Sequence, residues 1–286
     1  MDSSLKLTDA QLDAWCHAAL ILGKKIGVGS KKANEEFKEL LNNFGSIRNV
    51  YQYFYSMLPL ESTVIDKLDL AFSKVKVEYK VLSILDESYP EELRKIYGAP
   101  PVYYYRGDSN ILQLKRSISF VGTRELDNPE FIRQGRNALE RLISAGYQVI
   151  VSGLAKGSDT LGHKTAIELG ARTIAVLGTP INIYYPAENR ELQDKIATEH
   201  LLITEYPVGI NSQGAYFANR NLTTVSLSYE GVVVARAGDK SGTQYAIKTC
   251  IEQKKELYIL ENNIHETDYQ WVIKYKKHIK VVKDKR

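Results

Sequence analysis

Six short apolar runs between residues 117 and 260 constrain the fold more than any other feature of the chain: SISFV (117–121), YQVIVS (147–152), RTIAVL (172–177), HLLIT (200–204), GVVVA (231–235) and ELYIL (256–260). Each is rich in β-branched residues and apolar at successive positions, as strands buried on both faces are, and a stretch of helical length follows most of them. The alternation predicts a doubly wound, mostly parallel α/β sheet with right-handed crossovers. Ligands of such sheets bind beyond the carboxyl ends of the strands, near the point where the winding reverses. The loops after these runs are therefore where chemistry is expected.

Residues 5–72 follow a helical period instead, broken by Gly and Ser near 27–30 and 45–46. Within ILGKKIGVGSKKANEEF, Gly27-Val28-Gly29 ends one helix, Ser30 caps the next, and Lys31 and Lys32 follow. This is the grammar of a helix-hairpin-helix, read either as a plain turn or as a phosphate contact at a helix N-terminus. The expected division is a small all-helical domain over 1–75, a connector over 76–116 ending in an edge strand at VYYYRGD, a sheet core over 117–265 and a basic tail over 266–286. Segments 72–79 and 257–260 are expected as sheet edges.

At 286 residues the chain is long enough to bury a sizeable core, and 44% hydrophobic with 25% charged residues excludes disorder and fibrous repeats. The net charge of +4 is unevenly placed: residues 274–286 hold seven Lys and Arg against one Asp, which leaves the first 273 at 31 − 33 = −2. An anion-binding surface must then be local, and the tail reads as a solvated end or a polyanion-binding arm. The opening MDSSLKLTDAQLDAW has neither the basic nor the apolar region of a secretory signal, and no run reaches eighteen apolar residues, so a cytoplasmic protein with no membrane contact is expected. Cys16 and Cys250 make neither a CxxC pair nor a disulfide framework.

The loops share one chemical character. The first run leads into Gly122-Thr123-Arg124, the second into Gly153-Leu154-Ala155-Lys156-Gly157-Ser158-Asp159, the third into Gly178-Thr179-Pro180, and the fifth into Arg236-Ala237-Gly238-Asp239-Lys240-Ser241-Gly242-Thr243. Glycine where backbone must approach a ligand, hydroxyls, and a nearby cation make a phosphate-cradling composition. Tyrosine is abundant, 19 against 7 Phe, and Tyr184, Tyr185, Tyr206 and Tyr216 beside Phe217 fall in or near these loops. Such rings either stack bases of a single strand or cover the sheet ends.

The familiar enzymes of this architecture fit poorly. Gly122 is followed by Thr-Arg-Glu rather than completing GxGxxG, and neither GxxxxGK[ST] nor GxSxG occurs. Asp159 and His163 stand one helical turn apart but lack a third ligand, so Asp159 is expected to favour the positive helix end and His163 to bond within the fold. No catalytic residue, metal or cofactor is expected.

In order along the chain, FVGTR, SGLAKGSDTLGHKTA, TIAVLGTPINIYYPAENREL, LITEYPVG, the F-x-x-RN of Phe217 to Asn221, VVVARAGDKSGT and ELYIL resemble the DNA-processing protein A (Smf) family, as does the upstream ILDESYPEELRKIYGAPPVYYYRGD. The resemblance covers roughly residues 20–260. It implies a Rossmann-like core that binds single-stranded DNA, forms a homodimer and hands strands to the RecA recombinase during natural transformation. By this resemblance Arg124, Lys156, Arg220 and Asn221 line a DNA phosphate pocket; Arg124, Lys156 and Arg220 are expected at the rim of the sheet, where their replacement should leave folding intact. Ser241, Gly242 and Thr243 match the family's Ser-Gly-Ser/Thr loop. With Gly122, Thr123, Gly153, Gly157 and Phe217 they complete the expected nucleic-acid-binding set. The chain departs from the family pattern at Leu222, where a second Arg is usual, at Ala218 in place of Pro, at Ser158 in place of Ile, and at Glu261-Asn262 where Pro-Gly commonly follows the strand. The winged-helix domain of many members is not expected after residue 262.

Two other readings remain open on sequence. A nucleotide sensor or phosphoribohydrolase-like protein could use the same sheet, although Ala246 stands where the hydrolases' catalytic Glu would fall after Gly242-Thr243. A scaffold protein could use its helical unit to bind partners, with the loops silent.

Overall fold

The protein is described here by a computed structural model covering residues 5–284. Among the described residues nine strands form a mixed, mostly parallel sheet in the order β1-β2-β6-β5-β4-β3-β7-β8-β9. The winding runs outward from β3 in one direction through β4, β5 and β6, and in the other through β7, β8 and β9. This is the doubly wound α/β architecture expected from sequence, with a helical N-terminal region. By compactness the chain divides into a unit of residues 1–106, 177–183 and 203–216 and a second of residues 107–176, 184–202 and 217–286.

The first unit holds α1 (Asp9–Leu22), α2 (Lys31–Phe44), α3 (Ile47–Tyr55), α4 (Ser62–Ser73), β1 (Lys80–Ser83), α5 (Glu91–Arg94) and β2 (Val102–Gly107). Thr8 and Gln11 close a capping box on α1, and the Ser30 hydroxyl accepts from Ala33 N–H at the start of α2, as its place after Gly29 suggested. The turn begins earlier than expected, because Gly23 already ends α1. Among the helices His17 lies stacked on Phe37 with Nδ1 2.8 Å from the Tyr104 hydroxyl, and burial pushes its pKa down to about 3. The imidazole is neutral structural material.

Glu205 is the unusual group of this unit. It is 5% exposed, and burial pushes its carboxyl up from 4.5 to about 7, with Asn34 and Tyr206 opposing the shift. The fold thus favours the protonated form, so its contribution is fully present below pH 4.5 and is lost as pH rises through about 7. A shift of this size corresponds to about 3 kcal/mol. Glu205→Gln should match the parent's stability near pH 4.5 and exceed it at pH 8, as read by urea denaturation. A variant less stable than the parent at pH 8 would contradict this assignment.

The second unit carries most of the sheet: β3 (Ser117–Val121), α6 (Pro129–Ser144), β4 (Val149–Ser152), α7 (Ser158–Glu168), β5 (Arg172–Val176), α8 (Arg190–Glu199), β6 (Leu201–Thr204, shared with the first unit), α9 (Gly214–Asn219, also shared), α10 (Asn221–Ser226), β7 (Gly231–Val234), α11 (Thr243–Glu252), β8 (Glu256–Leu260), α12 (Gln270–Lys274) and β9 (Ile279–Val282). The pairs β3–β4, β3–β7, β4–β5, β7–β8 and β8–β9 are all parallel. Both sheet faces are apolar, which explains the unbroken runs in the sequence. Ile118, Phe120, Ile150 and Val233 pack with Ala138 and Leu139 of α6 and Ala166 of α7. Val121, Val232, Val234 and Ile259 pack with Ala246, Ile247 and Cys250 of α11 and with Trp271. Both cysteines are free and buried.

Three expectations about the sheet margins need correction. The edges are β1 and β9, whereas β2 and 257–260 are interior and 72–79 ends a helix and continues as coil. β1 reads poorly from sequence because KVLS is short and half-exposed and pairs antiparallel with β2. The expected basic tail is also folded through residue 284. The short IKVV run pairs with β8 as β9, and its one lysine, the exposed Lys280, pairs with Glu256 at 2.6 Å. Residues 285–286 lie outside the described residues.

Candidate functional site

The winding reverses between β3 and β7, and the loops leaving β3, β4 and β7 are bonded together there. Thr123 N–H donates to Arg236 O at 2.7 Å, and Ser158 N–H donates to Thr123 O at 3.0 Å. Backbones this close leave no room for a side chain: a Cβ on Gly122 would lie 2.4 Å from Ser158 Oγ and 2.9 Å from Arg236 O. Gly157, at φ +72°, begins α7. The fourth loop of the sequence reading, Gly178-Thr179-Pro180, lies in the first compact unit, where Thr204 Oγ1 donates to Thr179 O.

Three cations, Arg124, Lys156 and Lys240, stand exposed in these loops. Arg124 makes no ion pair among the described residues and lies 5.6 Å from the centre of the Phe217 ring, which in turn lies 4.8 Å from Tyr185. Tyr185 is 44% exposed, so cation and two rings form a continuous run open to solvent. Lys156 is paired with Glu188, and that contact holds the Glu188 carboxyl below its usual range. Both members are more than half exposed, so solvent screens the pair and an incoming anion can exchange for Glu188. The buried Asn189 amide fixes the neighbouring loop by donating to Leu154 O at 2.9 Å and Thr160 Oγ1 at 2.8 Å.

Arg220 is placed differently from the rim position expected. It is 5% exposed, and its guanidinium lies across Gly153, where an added Cβ would fall 1.2 Å from Nη1. Nη2 donates to Asp159 Oδ2 at 3.1 Å, and the same oxygen accepts from Ala155 N–H at 3.2 Å. The physical reason is that Gly153 opens a space at the strand end and Asp159 supplies the charge that allows a guanidinium to occupy it. Asn221 is also turned inward, its amide donating to Gly242 O at 3.2 Å. In the loop before α11, Ser241 Oγ accepts from Thr243 N–H at 3.2 Å, and Gly242 faces open space.

Asp159 and His163 serve the fold. Thr173 Oγ1 donates to Ile150 O, so it accepts from His163 Nδ1–H at 2.7 Å. Burial foremost, then Arg220 and His200, push the His163 pKa down to about 3. Among the described residues no group of three His, Cys, Asp or Glu could hold a metal ion.

Sequence reasoning missed the groups that hold these loops. Arg236 pairs with Glu266 and lies 4.2 Å from the Phe131 ring and 5.5 Å from Tyr269. Asn263 and Trp271 bind the same loop from the C-terminal side, and Asp239 within the loop accepts from Trp271 N–H. Arg236 and Asp239 fall in a loop already singled out from sequence, whereas Glu266, Asn263 and Trp271 carried no sequence signal.

Fold and site together define a doubly wound α/β protein whose glycine-rich loops converge at the topological switch point with exposed cations and aromatic rings. Residues 80–277 match the family model of DNA recombination-mediator protein A. The chain belongs to that family. It is 35% identical over 198 residues to the DNA processing protein DprA of Streptococcus pneumoniae, covering 68% of each chain. It is 32% identical over 222 residues to DprA of Bacillus subtilis, covering 77% of this chain and 70% of the relative. The X-ray structure of the S. pneumoniae protein matches with a TM-score of 0.72 at 26% identity, over 97% of this chain and 95% of the other. A structure of Helicobacter pylori DprA, described for its single-stranded DNA binding mode, matches with a TM-score of 0.63 at 25% identity, over 72% and 91%.

Proposed function

We propose that this chain binds single-stranded DNA at the exits of β3, β4 and β7 and acts as a recombination mediator that protects incoming strands and loads RecA. The observation that carries the reading is the exposed run of Arg124, Phe217 and Tyr185 beside Lys156: cations spaced among ring faces suit a backbone of phosphates with unstacked bases. Ser241, Gly242 and Thr243 add hydroxyls and a helix N-terminus for a further phosphate. Arg220 and Asn221 act from beneath, setting the shape of the β4 exit and of the Gly242 turn. The relative described for single-stranded DNA binding supports the same direction. The protein acts as a homodimer in the cytoplasm, without turnover of nucleic acid or nucleotide. No helix among the described residues is long and apolar enough to cross a membrane.

The open space at Gly242 also suits a mononucleotide phosphate, which makes the nucleotide sensor the second reading. The hydrolase version of that reading lacks its acid at that position, where Ala246 of α11 is fully buried against the core. Competition separates the two. Labelled oligothymidine should be displaced by unlabelled oligothymidine and hardly by AMP or ATP, and the nucleotides should be recovered intact. Displacement by AMP at lower concentration than by oligothymidine, or release of free adenine, would favour the second reading. Sedimentation of a monomer at tens of micromolar would remove the dimer.

A further inference from the structure

The segment after β8 departs from the family pattern, with Glu261-Asn262 where Pro-Gly is usual, and it is bonded to the β7–α11 loop along its length. Asn263 is fully buried: Oδ1 accepts from Ala237 N–H at 3.0 Å, while Nδ2 donates to Ala235 O at 3.1 Å and Leu260 O at 3.0 Å. Trp271 Nε1–H donates to Ala237 O at 2.6 Å. Both backbone groups of Ala237 are therefore held by side chains of the C-terminal segment. Asp239 accepts from Gln270 N–H at 3.0 Å and Trp271 N–H at 2.8 Å through its two carboxylate oxygens. Arg236 is held between Phe131 and Tyr269 and pairs with Glu266.

We propose that the segment 261–271 is a strap that positions the Ser241-Gly242-Thr243 turn, and that Asn263, Asp239 and Trp271 are positioning residues for ligand bound there. A loop of glycine, serine and small residues has little apolar surface with which to order itself, and ordering each backbone residue costs about 1–2 kcal/mol. Within the loop, Ser241 N–H and the Gln244 amide both donate to Gly238 O, at 3.1 and 2.9 Å. Gly238 lies between Ala237 and Asp239, the two points at which the strap holds the chain. The turn that presents Gly242 is thus built on Gly238, and Gly238 is fixed by the strap. Releasing the strap lets the loop sample other conformations before ligand binds, and that ordering is then subtracted from the affinity.

The consequence for DNA rests on the proposed function, whereas the ordering of the loop does not, so the test reads both. Asp239→Asn weakens the hold on α12 with little change in volume, and Trp271→Phe removes the bond to Ala237 O while keeping an aromatic ring in the core. Asn263→Asp, which removes the buried donors, is the stronger variant if it folds. Amide hydrogen exchange at residues 237–244 of the full chain should quicken at least tenfold in Asp239→Asn and Trp271→Phe, while exchange in β3 and β4 stays as in the parent. Oligothymidine affinity should fall severalfold, with the slope of log K against log salt lowered by about 0.7, the loss of one phosphate contact on a single strand. A purely structural role would lower the melting temperature and leave the salt slope of the folded protein unchanged. Unchanged exchange at 237–244 overturns the strap. Quickened exchange with unchanged affinity and slope keeps the strap and overturns its role for the ligand. A parent that binds no oligothymidine overturns the DNA reading, and exchange still decides the strap.

Discussion

Replacing Arg220 with methionine should destabilise the protein by about 3–5 kcal/mol, the cost of leaving one partner of a buried ion pair uncompensated. Asp159 and Arg220 side chains are each 6% exposed, and among the described residues no other cation pairs with Asp159. The expectation from sequence, that this position tolerates charge reversal with folding intact, is therefore replaced by its opposite. Arg220→Glu should fare worse than Arg220→Met, because it places a second carboxylate beside Asp159. Arg220→Met combined with Asp159→Leu should recover much of the loss, since the orphaned charge goes with its partner. Urea denaturation checks the series. An Arg220→Met variant within 1 kcal/mol of the parent would show that the pair is not the determinant described here. Loss of DNA binding in an Arg220 variant consequently says little about phosphate contact unless the variant is shown to be folded.

Reversing the exposed cations should have the largest effect on binding without cost to the fold. Arg124 and Lys156 project into solvent, so Arg124→Glu with Lys156→Glu should denature like the parent. Each lost charge-assisted contact removes about 1–3 kcal/mol, and the introduced carboxylates repel the strand, so oligothymidine affinity should fall by a hundredfold or more. Deleting residues 274–286 is not a clean control for tail charge, because it removes β9. Lys276→Glu with Lys277→Glu alters exposed charge and leaves the strand in place, and it should weaken binding far less. Comparable losses in the two double variants, measured by anisotropy at equal salt, would move the binding surface away from the loops.

The sheet was legible because its strands are buried on both faces and hence apolar at every position, a signal that survives without any knowledge of pairing. β1 and β9 escaped because they are short, half-exposed and interleaved with lysine, and a strand that covers a sheet edge has no reason to be apolar throughout. The glycines at 122 and 153 were recognised as places of close approach, but sequence could not say what approaches. At Gly122 it is neighbouring backbone and Ser158, and at Gly153 it is Arg220. For the same reason a motif arginine that reads as a ligand group proved to be paired within the fold, since the partner that neutralises it lies 61 residues away in sequence. Asn263 and Trp271 gave no signal, because their work is to satisfy backbone groups of a loop that folds against them.

Binding of a strand by its phosphates and unstacked bases at the loop edge is tested most directly by a salt titration. Anisotropy of a labelled oligothymidine and of the same oligonucleotide annealed to its complement should be followed from roughly 50 to 300 mM salt, a range over which phosphate contacts weaken steeply. The prediction is at least tenfold tighter binding of the single strand, with a slope near −1.5 to −3, about −0.7 for each of two to four neutralised phosphates. The Arg124→Glu, Lys156→Glu variant should show a slope nearer zero by about 1.4. Equal affinity for single strand and duplex, or a single-strand affinity that does not change with salt, would contradict it.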